Sequence, residues 1–221
     1  MSYLKRFSVT GSVCPSSPFF GQRAAHEVTR LAPGYDQVVV AGIGSGVVAS
    51  RIYRHHPDAI LFEIEHEFAT RFRQQHPSAR VVADKIQALY EHHPELKYQR
   101  VLLASFIPTA GAFFSEEISS FFLSLCRSGG YVMQMRYLPH RMSARFFDGM
   151  RNSGVVSERL FTVARNLPPV SMFGMRSLLT SVDQDASPVL HADGALTRRE
   201  REEAEPRVVG EAARIALASS I

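Results

Sequence analysis

Gly42, Gly44 and Gly46 alternate with Ile43 and Ser45 directly after the apolar run Val38-Val39-Val40-Ala41, and a helix-compatible segment follows. A strand that turns through glycines into a helix suits a nucleotide-type cofactor. Without a Cβ the backbone takes positive φ and lets a ligand approach main-chain N–H groups. Glu63 stands seventeen residues after Gly46, closing the short apolar run Ala59-Ile60-Leu61-Phe62. In dinucleotide-binding and adenosyl-binding sheets a carboxylate at that place accepts hydrogen bonds from both ribose hydroxyls. Asp84, after a third run, has two readings: it accepts a hydrogen bond from an adenine amino group, or it caps the segment that starts at Lys85.

The elements that must hold these residues follow from periodicity. Strands are predicted at Gln37 to Ala41, Ala59 to Glu63, Arg80 to Ala83, Arg100 to Ser105 and Gly130 to Tyr137, with helices between them. This alternation predicts an α/β fold with a mostly parallel sheet covered on both faces. Phe114, Ile118, Phe121, Phe122 and Leu125 mark one buried helix face that stops at Gly129-Gly130, and a further helix carries Phe146, Phe147 and Met150. Two β-like runs then close the pattern, Val155 to Ala164 and Val170 to Leu179, joined by Asn166-Leu167-Pro168-Pro169. Proline donates nothing to a ladder, so the pair reads as a hairpin with a rigid connection.

Five parallel strands and a closing hairpin differ from a dehydrogenase half, which continues with βα units. By analogy the pattern favours a Rossmann-like class I methyltransferase sheet of seven strands, mostly parallel with a C-terminal antiparallel hairpin, in which the last strand slips antiparallel between its two predecessors. In such a sheet S-adenosylmethionine is the cofactor. The Gly42 to Gly46 loop, with Ser45, meets its methionyl end and Glu63 its ribose. Asp84 and Ile86 are placed at the adenine, and Ile64 and Lys85, with Ser105 at the methyl-bearing end, complete the cofactor contacts. Ser105 ends the fourth strand beside the transferable methyl, where its hydroxyl or nearby carbonyls accept a hydrogen bond from an amine nucleophile. Methyl transfer asks mainly for in-line placement and exclusion of water, so no dedicated base is required. His140, just past the fifth strand, can approach the pocket and is a catalytic candidate with Ser105 and Tyr137; Tyr137 and Arg136, which flank it, either meet a phosphate or amine or fall to core packing and to the surface respectively.

Composition sets bounds on these readings. The chain has 221 residues, 45% of them hydrophobic and 21% charged, which is ordinary for one main domain with an appendage. The organisation expected is a lid or substrate-access helix in 1–36, the cofactor domain in 37–180 and a polar linker with an amphipathic helical tail in 181–221. The sequence shows neither a run long enough to span a membrane nor a secretory pattern, so a cytoplasmic protein is expected. Cys14 and Cys126 are read as reduced thiols. The nine histidines include the pairs His55-His56 and His92-His93, but neighbours on a helix do not face each other and no zinc spacing surrounds them. They are read as helix-end residues, and no metal site is expected. The net charge of +4 does not choose among anionic lipid, nucleic acid and solubility. Basic residues are scattered, with no aromatic and basic stripe for single-stranded RNA, which argues against a nucleic-acid partner. The tail helix, with Val208, Val209, Ala212, Ile215 and Ala216 on one face, reads as a surface or homodimer contact, or else as a membrane-surface element.

Two further segments carry a resemblance. Thr10-Gly-Ser-Val-Cys-Pro15-Ser16-Ser17-Pro18-Phe19 and Arg165-Asn166-Leu167-Pro168-Pro169, together with the Gly42 to Glu63 half, resemble the bacterial phospholipid N-methyltransferases of the class I S-adenosylmethionine type, over about the first 180 residues. The fourth-strand segment Ser105-Phe106-Ile107-Pro108 matches the rRNA adenine dimethylases poorly. The resemblance implies N-methylation of an ethanolamine-type phospholipid head group, with peripheral membrane contact through the N-terminal helix. Pro15, Ser16 and Ser17 would then meet the phosphate, helped by Lys5, Arg6 or Arg23, with Phe106 and Arg136 also on the substrate side. Methylation of a soluble small molecule, or a non-catalytic scaffold, are the other readings.

Overall fold

Seven short runs rich in valine, leucine, isoleucine and methionine form one sheet in the computed structural model, which describes residues 16–108, 116–137, 144–166 and 168–178. The strands are β1 (Gln37–Ala41), β2 (Ile60–Phe62), β3 (Arg80–Val82), β4 (Val101–Ser105), β5 (Tyr131–Tyr137), β6 (Val155–Val163) and β7 (Val170–Ser177). The principal helices are α1 (Pro18–Leu31), α2 (Ala49–His55), α3 (His66–Gln75), α4 (Leu89–His92), α5 (Glu116–Arg127) and α6 (Ala144–Asn152). Strand order is β3-β2-β1-β4-β5-β7-β6. The first five strands are parallel, and β7 runs antiparallel to both β5 and β6 between them. This is the arrangement expected from the hairpin. Most predicted strands are trimmed by one or two residues at an end, where ladder bonding stops before the apolar run does; Glu63, Ala83, Arg100, Gly130, Ala164 and Leu178 fall outside the strands.

Successive residues of a strand point to opposite faces, and Val38 to Ala41 of β1 and all of β4 are buried, so both faces must be covered. Val38, Val40, Leu102, Ala104 and Met133 pack with Phe20, Ala24 and Val28 of α1. Val39, Leu103 and Val132 pack on the other face with Phe122 and Leu125 of α5. The helix read from sequence as a lid thus covers one face of the sheet, burying an i, i+4, i+8 stripe of Phe20, Ala24 and Val28.

Pro18 opens α1 at a position where no amide hydrogen is needed, and Ser17 Oγ accepts a hydrogen bond from Phe20 N at 3.2 Å. Ser17 N donates to Asn166 Oδ1 at 2.8 Å, while Asn166 Nδ2 donates to the Pro168 carbonyl at 2.7 Å. The two segments that carry the family resemblance therefore meet at one buried side chain. Asn166→Ala removes a buried side chain and leaves the half-buried Ser17 amide and the Pro168 carbonyl without this partner, and denaturant unfolding is expected to show a loss of about 1–2 kcal/mol. Unchanged stability would show that the tie between α1 and the hairpin carries nothing.

Cys14, Pro15, Phe114, His140, Leu167 and the whole tail after Ser181 lie outside the described residues. Among the described residues no helix is long and apolar enough to cross a membrane.

Candidate functional site

The carboxyl ends of β1, β2 and β4 converge on the glycine loop. Gly42, Gly44 and Gly46 have φ of 85°, 52° and 84°, the left-handed region that glycine enters without steric cost. At Gly42 a Cβ would stand 3.3 Å from the carbonyl carbon of Phe106, so this glycine lets the end of β1 approach the chain leaving β4. Around Gly44 nothing lies within 4 Å of where a Cβ would be.

The three glycine amides of the loop are engaged within the protein. Gly42 N donates to the Phe62 carbonyl and Gly46 N to the Ile43 carbonyl, both at 2.9 Å, and Gly44 N donates to Glu63 Oε2 at 2.8 Å. The reading that these glycine amides face a ligand is corrected accordingly: the glycines supply clearance, and Gly44 N holds Glu63 in place. Glu65 N donates to the other oxygen, Glu63 Oε1, at 2.9 Å. Glu63 is only 6% exposed, yet each of its oxygens takes a single N–H and keeps an accepting lone pair. Two accepting positions on one fixed carboxylate match a vicinal diol. Ile64, next in the chain, is 65% exposed and offers an apolar surface at the same edge. Ser45 is half-buried in the loop.

Asp84 follows β3. Its Oδ1 accepts from Lys85 N at 2.7 Å and its Oδ2 stands 2.9 Å from His92 Nε2; the short helix Ile86–Ala88 that follows has Lys85, not Asp84, at its N-cap position and no side-chain cap. The hydrogen bond from His92, and after it the Lys85 amide, hold this carboxyl below the usual carboxylate range. Lys85 is exposed with its Nζ 4.0 Å from Glu117 Oε2, whereas Ile86 is buried in the core face with Phe62 and Leu89.

On the acceptor side, Ser105 is the last residue of β4, in register with Ala41 of β1 and Gln134 of β5. Register partners in a parallel sheet share a face. Arg136, two residues after Gln134, shares it too and lays its guanidinium over Phe147 and Phe173, 4.8 and 5.6 Å from the ring centroids. Burial pulls the Arg136 guanidinium below its ordinary pKa. Phe106 and Tyr137 belong to the opposite face: Phe106 meets the Phe20 ring edge-on at 6.0 Å, and Tyr137 is half-buried against the same cluster. Ser105 and Arg136 thus share one face of the sheet, and Tyr137 stands on the other. Ser17 serves as the cap described above, and Ser16 beside it is half-buried.

Gln134 was not singled out by the sequence. It is fully buried, and its Nε2 donates to the carbonyls of Ile107 and Met135, each at 2.7 Å. The available signal was a lone amide inside the apolar run Val132, Met133, Met135. The paired histidines fall at the ends of α2 and α4: His56 lies 3.2 Å from Thr29 Oγ1 and is pulled below its ordinary pKa by burial, and His93 Nδ1 lies 3.1 Å from Glu95. Burial pushes the Cys126 thiol up to about 12, which keeps it protonated.

No family model matches the chain, and no curated protein does. Solved structures do. PH1948 from Pyrococcus horikoshii, described as an RNA methyltransferase, superposes with a TM-score of 0.51 at 13% identity, over 73% of this chain and 83% of that one. DesVI from Streptomyces venezuelae gives a TM-score of 0.51 at 11% identity, over 72% and 94% respectively. The resemblance to phospholipid N-methyltransferases finds no support in these comparisons. At such identities the likeness is one of architecture, and the chain has the Rossmann-like methyltransferase fold, with a seven-stranded sheet closed by an antiparallel hairpin.

Proposed function

We propose that this protein is an S-adenosylmethionine-dependent methyltransferase that acts on an amine nitrogen. The observation that carries the proposal is the buried Glu63 carboxylate, fixed by Gly44 N and Glu65 N with one accepting position left on each oxygen. These positions suit the two ribose hydroxyls, Ile64 offers the adenine an apolar edge, and the open space above Gly44 leaves room for the chain of the cofactor. When bound, the cofactor supplies a sulfonium methyl: the amine lone pair forms the new C–N bond, the S–C electron pair returns to sulfur, and the surplus proton of the resulting ammonium goes to water. The protein's part is placement. The acceptor is assigned to the carboxyl edge of β4, beside Ser105 and the chain at Phe106 that Gly42 approaches.

The acceptor favoured is an ethanolamine-type phospholipid head group. A groove of about 630 Å³ beside α1 is lined by Phe19, Arg23, His26 and Phe161, setting aromatic rings beside a guanidinium as an anionic amphiphile requires. Phe19 at the head of α1 is 55% exposed, and Arg165 lies 5.7 Å from its ring. Incubation of the protein with methyl-labelled cofactor and separate lipid and aqueous cell extracts tests the reading. Label in the lipid fraction, reproduced on vesicles containing phosphatidylethanolamine, is the expected result. Label confined to the aqueous fraction would reassign the acceptor to a soluble amine, and label in neither would remove the enzymatic reading.

A further inference from the structure

Two fully buried oxygens at the edge of the sheet are without a hydrogen-bond partner among the described residues: Ser105 Oγ and Gln134 Oε1. A polar atom withdrawn from water without a partner is costly, so the free protein holds two such costs side by side on adjacent strands. The orientation of the Gln134 amide is not arbitrary. Its Nε2 donates to two carbonyls, Ile107 and Met135, and a flipped amide would turn its oxygen toward both of them. Oε1 is therefore the atom left over. An amide oxygen only accepts, so whatever completes it must donate, whereas a serine hydroxyl does either. The Ile107 carbonyl belongs to the chain leaving β4 beyond Ser105, which puts the Gln134 amide at the carboxyl edge, on the face that Ser105 shares.

We infer that Ser105 Oγ and Gln134 Oε1 form an acceptor pair that receives the N–H groups of the nucleophilic nitrogen and thereby counts its hydrogens. The inference rests on the cofactor reading above and names the substrate class within it. A primary amine gives one hydrogen to each oxygen, and its lone pair is left to face the methyl. A secondary amine fills one of the two positions and a tertiary amine neither. The pair therefore selects primary amines and slows each successive methylation.

The test uses two cofactor analogues and needs no identified acceptor. S-Adenosylhomocysteine carries nothing where the methyl stood, and sinefungin carries an amine-bearing carbon there. Calorimetry on the whole protein gives the affinity ratio of sinefungin to S-adenosylhomocysteine. A hydrogen bond from a charged amine corresponds to a factor of about 10 or more, so the ratio is expected to fall by roughly that much in Ser105→Ala and again in Gln134→Met, while the affinity for S-adenosylhomocysteine stays within about twofold. Ser105→Ala removes a single unpaired oxygen and carries the test alone if Gln134→Met, which also frees the Ile107 carbonyl, fails to fold. A ratio unchanged in Ser105→Ala with S-adenosylhomocysteine still bound would overturn the inference and leave the cofactor reading standing. No binding of S-adenosylhomocysteine to the unaltered protein would overturn both.

Discussion

Glu63→Gln is expected to weaken S-adenosylhomocysteine binding on the order of 100-fold, about 3 kcal/mol, in a calorimetric titration. The size follows from what the carboxylate does. Its two oxygens each accept one backbone N–H, from Gly44 at 2.8 Å and from Glu65 at 2.9 Å, and each keeps one position for a ribose hydroxyl. Glutamine has the same shape but replaces one oxygen by an NH2 group. Whichever way the amide lies, a donor then faces either the Gly44 amide or the Glu65 amide, and one ribose hydroxyl loses a charged acceptor. Hydrogen bonds to an ionised group are worth about 1.5–3 kcal/mol each, and the buried amide left unpaired adds to the loss. Retention of affinity within about threefold would mean that the ribose is held elsewhere, and the roles given to Gly44 and Glu63 would have to be abandoned.

The second large effect is structural. Gly130→Ala is expected to destabilise the protein by about 3 kcal/mol, read as a lower melting temperature. Gly130 N donates to the Leu125 carbonyl at 3.0 Å and Gly129 N to the Cys126 carbonyl at 3.2 Å, with Gly129 at φ 85°, so α5 closes in a Schellman motif that feeds directly into β5. A Cβ on Gly130 would lie 2.9 Å from the carbonyl oxygens of both Leu125 and Val101 and would overlap the Leu125 side chain. Two of these three neighbours are backbone: the Val101 carbonyl cannot yield without shifting the strand that ends in Ser105, nor the Leu125 carbonyl without shifting the end of α5. An unchanged melting temperature would show that α5 and β4 have slack that their packing here does not allow.

Much of this was legible in the chain itself because the fold rests on local signals. Continuous apolar runs such as Val38 to Ala41 and Val101 to Ala104 are buried on both faces, which is what a parallel sheet under two helix layers requires. The hairpin was readable from Pro168 and Pro169, which stand outside both of its strands. Glu63 stands out in the sequence because a carboxylate directly after an apolar strand has few structural reasons to be there. What its oxygens bond to was not readable: a sequence locates amides, but it does not say which of them find an acceptor inside the protein, and the glycine amides proved to be engaged there.

Two other features escaped for different physical reasons. Arg136 and Tyr137 are adjacent and were assigned together, yet neighbours in a strand point to opposite faces, so only one of them can share the face of Ser105. The alternation was available in the sequence and would have separated them. Gln134 sits inside an apolar run, where a single polar residue carries little weight, and its importance appears only once its nitrogen is seen to be used and its oxygen is not. The segments that carried the family resemblance have a structural part as well, since Ser17 and Asn166 join the head of α1 to the hairpin.

The structure of the protein crystallised with S-adenosylmethionine tests the central claim most directly. The account predicts the ribose hydroxyls on Glu63 Oε1 and Oε2, the adenine against Ile64 and the methyl directed toward Ser105. Cofactor density away from Glu63, or a crevice above Gly44 still empty at saturating cofactor, would contradict it.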